Sequence, residues 1–194
     1  MNPPKVDSRP LGKHRLFVVD GLFNSDFVRV LYEILTRQSF SQSDYDTEAT
    51  AHIRHWKCEF PPSFFTTNPL LQTWHRYVVT KAGELFADRE IGLKRVHANS
   101  HLFGDHQNAH TDIAPGVTAV YFANSEWQSD WQGEMIFYDI VGEPRYVVAP
   151  RPGRLAVFDG GMLHRGGVPS RTCFAARLSV AFKFASSERD NSRG

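Results

Sequence analysis

The chain has 194 residues, which suits one domain with its own hydrophobic core. Its 22 Lys plus Arg residues nearly balance its 21 Asp plus Glu residues, so the net charge gives no electrostatic basis for binding nucleic acid or an anionic membrane. Two cysteines are too few for a disulfide framework, and no apolar run approaches the roughly 20 residues of a membrane helix. Since residues 1–15 also lack the apolar segment of a signal peptide, we expect a soluble cytoplasmic protein.

The first half of the chain has a mixed pattern of helical and extended segments. Apolar residues recur at helical spacing in two stretches, the first of which Asn24 or Ser25 could cap, whereas the second starts after Asn68-Pro69. Proline and short polar residues dominate the stretch between them, which favours loop. In chain order the pattern predicts a loose arm at 1–13, a strand at 15–20, a helix at 24–37, a loop at 38–67 and a second helix at 69–86.

The second half is predicted to be β-rich, with glycine and proline turns between short strands. The predicted strands are 93–103, 117–123, 134–139, 145–149, 154–158 and 173–184. Many short strands after early helices are typical of a jelly roll with helices packed on one outer face. We therefore predict a mainly β chain with N-terminal helices, a core at about 90–184, and a polar tail at 186–194.

One candidate metal site is the pair His110 and Asp112, with His164 following His110 by 54 residues. Residues i and i+2 of an extended segment point to the same side, so the pair can face one ion while His164 comes from a neighbouring strand. Two imidazoles and one carboxylate suit non-haem iron(II), because three coordination positions stay open. Taken alone, the pair is a weak signal, since it also fits a surface histidine beside a turn.

A second signal is Arg177 within the apolar stretch 173–184. By alternation Arg177 and Ser179 share one face of the predicted strand, with small residues beside them. An arginine buried there needs an anionic partner, and its guanidinium fork fits a carboxylate, with the serine hydroxyl as a further donor. The alternative is a solvent-facing arginine on a half-exposed strand.

Together these motifs resemble those of the 2-oxoglutarate/Fe(II) dioxygenases, HxD…H…RxS, most closely the prolyl 4-hydroxylase-like branch, over about residues 90–184. The stretches 117–124, 131–137 and 152–158 add to the resemblance. Collagen-type prolyl hydroxylases use lysine where Arg177 stands, and the 13-residue spacing from His164 is wider than in that branch. The resemblance therefore implies the reaction class more than a prolyl substrate.

The resemblance implies a double-stranded β-helix, a cupin-like jelly roll, that binds Fe(II) through His110, Asp112 and His164. It also implies that Arg177 and Ser179 hold the distal carboxylate of 2-oxoglutarate, with dioxygen as co-substrate and ascorbate as an optional reductant. The implied reaction hydroxylates an unactivated C–H bond of an amino acid, a peptidyl residue or a small metabolite, while 2-oxoglutarate is decarboxylated to succinate. Desaturation or cyclisation by the same chemistry, and a non-catalytic cupin-like binding module, remain alternatives. The oligomeric state stays open.

Further polar residues alternate along 95–101, where Arg95, His97, Asn99 and His101 share a face. We expect this face to line a polar cavity, with Asn99 hydrogen-bonded to 2-oxoglutarate or substrate. His97, His101 and His106 are alternative metal ligands, but none has a carboxylate two residues on.

Four other features bear on substrate recognition. The polar stretch 41–57 is long for a loop in one domain, and we expect it to recognise the substrate. Arg165 and Arg171 follow His164 in a loop-like stretch and are expected to be solvated, with Arg171 as a minor candidate for a substrate carboxylate. Trp127 and Trp131 are expected to pack, with a role in substrate recognition as the alternative.

Overall fold

A computed structural model describes residues 3–188 of the chain. Its two helices are α1 (Ser25–Thr36) and α2 (Pro69–Leu85). Its strands are β1 (Lys5–Leu11), β2 (His14–Asp20), β3 (Ser41–Asp44), β4 (His55–Glu59), β5 (Arg89–His101), β6 (Gly116–Phe122), β7 (Met135–Tyr138), β8 (Pro144–Val148), β9 (Leu155–Asp159), β10 (His164–Gly166) and β11 (Arg177–Glu188). The predicted mainly β chain with N-terminal helices is thus confirmed.

Both helices begin where the sequence predicts, because an asparagine caps each of them. The Asn24 side chain accepts a hydrogen bond from the Phe27 backbone N–H at 2.9 Å, and Asn68 accepts one from Leu70 at 2.8 Å. Pro69 at the start of α2 lacks a backbone donor that the first turn would leave unpaired. Neither helix in this part of the chain is long and apolar enough to cross a membrane.

The strands form two sheets whose pairings are antiparallel. The larger sheet has eight strands in the order β1-β2-β9-β6-β11-β5-β4-β3, and the smaller has three in the order β10-β7-β8. Strand β11 lies near the middle of the large sheet, between β6 and β5. Every residue of β6 and β9 is buried, as expected for strands covered on both faces.

The large sheet contributes to two separate hydrophobic clusters. One joins side chains of both helices, such as Leu31 and Trp74, to sheet residues such as Phe182. The other joins Val120 and neighbouring sheet residues to Phe137 of the small sheet. The second cluster therefore packs the two sheets against each other, and the functional side chains lie beside it.

Three segments differ from the sequence-based predictions. Residues 5–11 of the predicted loose arm form β1, because seven residue pairs connect them to β2. The predicted loop at 38–67 contains β3 and β4, which extend the large sheet beyond β5. The predicted tail begins inside β11, which runs to Glu188 against β5, whereas residues 189–194 lie outside the described part.

Candidate active site

Backbone hydrogen bonds hold His110 and Asp112 beside the start of β10 and the turn before it. His110 and His164 exchange both backbone bonds, at 2.9 and 3.0 Å, and form an isolated antiparallel bridge. The Asp112 N–H donates to the Gly160 carbonyl at 2.7 Å. These bonds bring the 110–112 segment alongside the 160–164 segment, so the His110, Asp112 and His164 side chains converge.

One potential ligand atom from each of these three residues lies within 4.8 Å of the others. The Nδ1 atoms of His110 and His164 lie 3.0 and 2.8 Å from the backbone carbonyls of Asn108 and Met162. Because a carbonyl only accepts, each Nδ1 carries a proton and each Nε2 keeps its lone pair. The Nε2 atoms lie 3.8 and 3.5 Å from the Asp112 carboxylate oxygens, which suits three ligands of one ion.

The environment of Asp112 keeps its carboxylate ionised. Thr118 Oγ1 donates to Asp112 Oδ2 at 2.7 Å, and the Lys183 ammonium forms an ion pair with the same oxygen. Burial raises the pKa of Asp112, but the charge of Lys183 and these hydrogen bonds outweigh it, so the pKa is lowered. Burial also lowers the pKa of His164 to about 4, so this imidazole is neutral near pH 7 and able to bind a metal.

Arg177 is buried at the start of β11, with only 1% of its surface exposed. Its Nε donates to the Gly133 carbonyl at 2.6 Å, its Nη1 donates to Ser179 Oγ at 3.2 Å, and its guanidinium lies 5.3 Å from the centre of the Phe122 ring. Burial lowers its pKa to about 10, with Glu134 opposing this effect. The guanidinium therefore stays charged near neutral pH and is fixed in one orientation.

Gly133 is the residue against which Arg177 packs. Its φ of +83° favours glycine, and a Cβ there would lie 2.9 Å from Arg177 Cδ and 3.1 Å from Trp127 Cζ2. Trp127 in turn donates to the Gln132 carbonyl at 2.9 Å and contacts Trp131 edge to face. The two tryptophans thus pack against each other beside Gly133, and neither lines a cavity near the candidate ligands.

Several buried polar atoms around Arg177 have no partner within residues 3–188, namely Arg177 Nη2, Asn99 Oδ1 and both ring nitrogens of His101. Arg177 and His101 are register partners on β11 and β5. Burial lowers the pKa of His101 to about 3, so its ring is neutral and has one N–H to donate. Donors left unpaired in a buried chamber are costly unless a ligand accepts from them, and a carboxylate fits this requirement.

No family model matches the sequence, and no curated protein matches it. Solved structures do match its fold. A prolyl 4-hydroxylase from Pseudomonas putida superposes with a TM-score of 0.66 and 19% identity, over 89% of this chain and 93% of that one. The chain shares the fold of 2-oxoglutarate/Fe(II) oxygenases.

Two other structures show the range of proteins with this fold. A prolyl hydroxylase from Trichoplax adhaerens, in complex with a hypoxia-inducible-factor peptide fragment, gives a TM-score of 0.64 and 15% identity over 88% of this chain and 83% of that one. The α-ketoglutarate-dependent epimerase SnoN from nogalamycin biosynthesis gives a TM-score of 0.64 and 13% identity over 90% of this chain and 80% of that one. The shared fold therefore accommodates more than one substrate and reaction.

Two adjoining chambers border the candidate metal ligands. The inner chamber, about 40 Å³, is lined by Arg177, Ser179 and His101, among others. The outer chamber, about 340 Å³, opens beside Asp112 and Thr111. Four residues line both chambers: Asn99, Gln107, His110 and Lys183.

The 41–57 segment borders the outer chamber, as its predicted role requires. Asp44, Tyr45 and Asp46 line this chamber. Asp46 accepts from the Asn108 N–H at 2.6 Å, and its carboxylate lies 3.4 Å from His110 Nδ1 and 3.1 Å from His55 Nε2. Burial raises the pKa of Asp46, but these neighbours outweigh it and lower the pKa. The segment therefore contacts a candidate metal ligand directly.

The remaining sequence candidates lie in different places. His97 lines the outer chamber, and the exposed His106 ring lies 3.0 Å from Asn108 Oδ1. Within residues 3–188, the single cluster able to hold a metal contains neither of them. Arg165 is half-buried and donates to Tyr138 Oη at 2.7 Å, whereas Arg171 is exposed and lines neither chamber.

Sequence reasoning missed Lys183 and Asp46. Lys183 could have been found by continuing the alternation from Arg177 and Ser179 along the same strand. No sequence signal marks Asp46, because its partners come from loops distant in the chain.

Proposed function

We propose that residues 1–194 form one Fe(II)/2-oxoglutarate-dependent dioxygenase domain, in which the two helices cover one outer face of a double-stranded β-helix. The observation that carries this proposal is the position of two groups in one cavity. His110 and His164 of the candidate metal cluster line the inner chamber, and Arg177 lines the same chamber with a donor, Nη2, that has no partner within residues 3–188. Such an arrangement fits a ligand that binds a metal at one end and presents a carboxylate at the other.

In this proposal His110, Asp112 and His164 hold Fe(II), and Arg177 and Ser179 hold the distal carboxylate of 2-oxoglutarate. When bound, Fe(II) and 2-oxoglutarate would supply the oxidation of a substrate C–H bond by dioxygen, coupled to decarboxylation of 2-oxoglutarate to succinate. The chain's own contribution is positional. Backbone carbonyls orient both imidazoles, and Gly133 and Ser179 orient the guanidinium. Asn99 lines both chambers and is positioned to hydrogen-bond 2-oxoglutarate or substrate.

Binding of the diacid requires a side-chain movement, because the inner chamber of about 40 Å³ has room for little more than water. Gln107 lines both chambers, and its Oε1 accepts a hydrogen bond from the Gly166 N–H. Gln107 is carried by the segment between β5 and β6 rather than by a strand. Withdrawal of Gln107 would enlarge the inner chamber and expose the donors that face it.

The test is an anaerobic titration of 2-oxoglutarate into iron-loaded protein, followed by the visible charge-transfer band of an iron-bound keto acid. The wild type should show this band and should release succinate in air. His164→Ala serves as the matched negative variant, because it removes one ligand and should lose both signals. A circular dichroism spectrum like that of the wild type would show that His164→Ala remains folded.

The outcomes separate the alternatives. Iron binding without a band or succinate would contradict the proposal and favour a cupin-like binding module. A band of wild-type strength in His164→Ala would show that the three ligands are wrongly assigned. Once a substrate is found, mass spectrometry distinguishes hydroxylation, which adds one oxygen atom, from desaturation or cyclisation, which removes two hydrogens.

A further inference from the structure

Within residues 3–188, one ionised side chain of the outer chamber lacks a close partner of its own, the guanidinium of Arg95. Among the residues that line this chamber, Asp44, Asp46, Asp112, Arg95 and Lys183 carry charge. Asp44 Oδ1 lies 3.2 Å from Lys57 Nζ. Asp46 contacts His55 and His110, and Asp112 contacts Lys183 and Thr118. The anionic lining groups are therefore matched.

The nearest carboxylate to Arg95 in the described chain is that of Glu59, whose Oε1 lies 3.9 Å from Arg95 Nη1. Lys57 Nζ holds the same oxygen at 3.1 Å. The Arg95 side chain is 44% exposed, so its fork remains available to a ligand.

A second cation lies directly beside Arg95. Lys183 on β11 is the register partner of Arg95 on β5, and both side chains line the outer chamber. Like charges at opposite positions of two strands destabilise the sheet unless an anion offsets them. A metal bound to Asp112 would also compete for the carboxylate that now offsets Lys183.

We propose that the outer chamber takes a small substrate bearing a carboxylate, which Arg95 binds through its guanidinium while Lys183 adds a second positive charge. This proposal rests on the proposed oxygenase function and names the substrate class for the same site. A volume of about 340 Å³ lies at the lower end of the range for small-molecule pockets, which favours a free amino acid or a small organic acid over a chain segment. The carboxylate anchors the substrate with its C–H bonds towards the His110, Asp112 and His164 cluster.

The experiment begins with wild-type protein loaded anaerobically with iron and 2-oxoglutarate, so that the charge-transfer band reports whether the proposed function holds. Two mixtures are then added separately. One contains free neutral L-amino acids and small monocarboxylic acids, and the other contains the same compounds as primary amides. Dicarboxylic acids are left out, because they would compete for the site of Arg177. Band perturbation and, in air, stimulated succinate release are measured for each mixture.

The carboxylate mixture should perturb the band and stimulate succinate release, and the amide mixture should do neither. Arg95→Gln should weaken the response to carboxylates at least about tenfold, as expected for a lost charge-assisted pair, and Arg95→Lys should recover part of it. Lys94→Gln is the matched control, because Lys94 is the exposed neighbouring cation on β5 and lines a different cavity. It should behave as the wild type does.

The band separates failure of this proposal from failure of the function on which it rests. A protein without the band is not the proposed oxygenase, and the substrate proposal fails with it. With the band present, equal responses to both mixtures, a response to neither, or a carboxylate response that survives in Arg95→Gln would overturn the assignment and leave Arg95 as a solvated strand residue.

Discussion

Replacement of Arg177 by alanine tests the proposed 2-oxoglutarate site most directly. The guanidinium already uses Nε for the Gly133 carbonyl and Nη1 for Ser179, which leaves Nη2 as the donor without a partner in the described chain. A charged hydrogen bond contributes about 1.5–3 kcal/mol. Since ~1.4 kcal/mol corresponds to one decade in affinity, Arg177→Ala should raise the 2-oxoglutarate dissociation constant about ten- to a hundredfold.

The assay is the anaerobic titration of 2-oxoglutarate into iron-loaded protein, with the charge-transfer band as the signal. Iron affinity itself should change little, because Arg177 is not a candidate ligand. Arg177→Lys should recover part of the affinity, since lysine keeps the charge but loses the fork. Arg171→Ala is the control, because this arginine is exposed and lines neither chamber.

A normal band with unchanged affinity in Arg177→Ala would refute the reasoning and assign the carboxylate to another cation. Loss of the band together with loss of the folded circular dichroism spectrum would instead report on packing at Gly133. The lysine variant resolves that case, because it can keep a donor near the Gly133 carbonyl. Weakened 2-oxoglutarate binding in folded Arg177→Lys is therefore the outcome that the structure predicts.

Four further changes probe the surroundings of the site. Gly133→Ala should weaken 2-oxoglutarate binding in the same titration, since the new Cβ would lie 2.9 Å from Arg177 Cδ. Asp46→Asn should lower iron affinity about ten- to a hundredfold in a chelator competition, as is usual when a group that orients a metal-binding histidine is changed. Asp112→Ala should destabilise the metal-free protein by about 3–5 kcal/mol in urea unfolding, because it leaves the Lys183 ammonium buried and unpaired, and a second change, Lys183→Met, should restore most of this loss. Burial lowers the pKa of His101 to about 3, so below pH ~6.5 the unfolded chain binds a proton that the folded chain does not. The free energy of unfolding should therefore decrease as the pH is lowered, by up to ~1.4 kcal/mol per pH unit, and His101→Gln should flatten this slope.

Each of these expectations has a contrary result. Unchanged 2-oxoglutarate affinity in Gly133→Ala would mean that Arg177 can shift without loss. Wild-type iron affinity in Asp46→Asn would leave the Asn108 carbonyl as the sole group that orients His110. Equal stabilities of Asp112→Ala with and without Lys183→Met would contradict the ion pair, and an unchanged slope between pH 6 and 4 in His101→Gln would contradict a neutral buried imidazole.

The parts of the fold that the sequence predicts are those with strong local patterns. Asparagine caps and helical spacing located α1 and α2, and alternation placed Arg177 and Ser179 on one face of β11. The predicted bounds are less accurate where pairing rather than composition decides. β1 is polar and mostly exposed, yet it forms a strand because β2 supplies partners along its whole length.

The 41–57 segment shows why parts of the site could not be predicted. Its polar composition favours loop, but β4 pairs with β5 on one side and with β3 on the other, and β3 is the edge strand of the large sheet. An edge strand tolerates polar residues because one side remains open to water. Pairing of β4 with β5 brings the segment to the candidate metal ligands. The contact between Asp46 and His110 joins residues 64 positions apart, which no local pattern encodes.

Lys183 combines a position that the sequence predicts with a partner that only the fold identifies. Alternation from Arg177 places Lys183 on the cavity face, and a lysine that is only 7% exposed requires an anion. Only the fold identifies that anion as Asp112, because β6 and β11 must first pair and bring Thr118 and Lys183 to the same carboxylate. The ammonium offsets the charge of Asp112, whose carboxylate lies beside both imidazoles. In the proposed function, iron bound at this site would add positive charge next to this ammonium, which is an electrostatic reason to expect both an anionic co-substrate and an anionic substrate in the cavity.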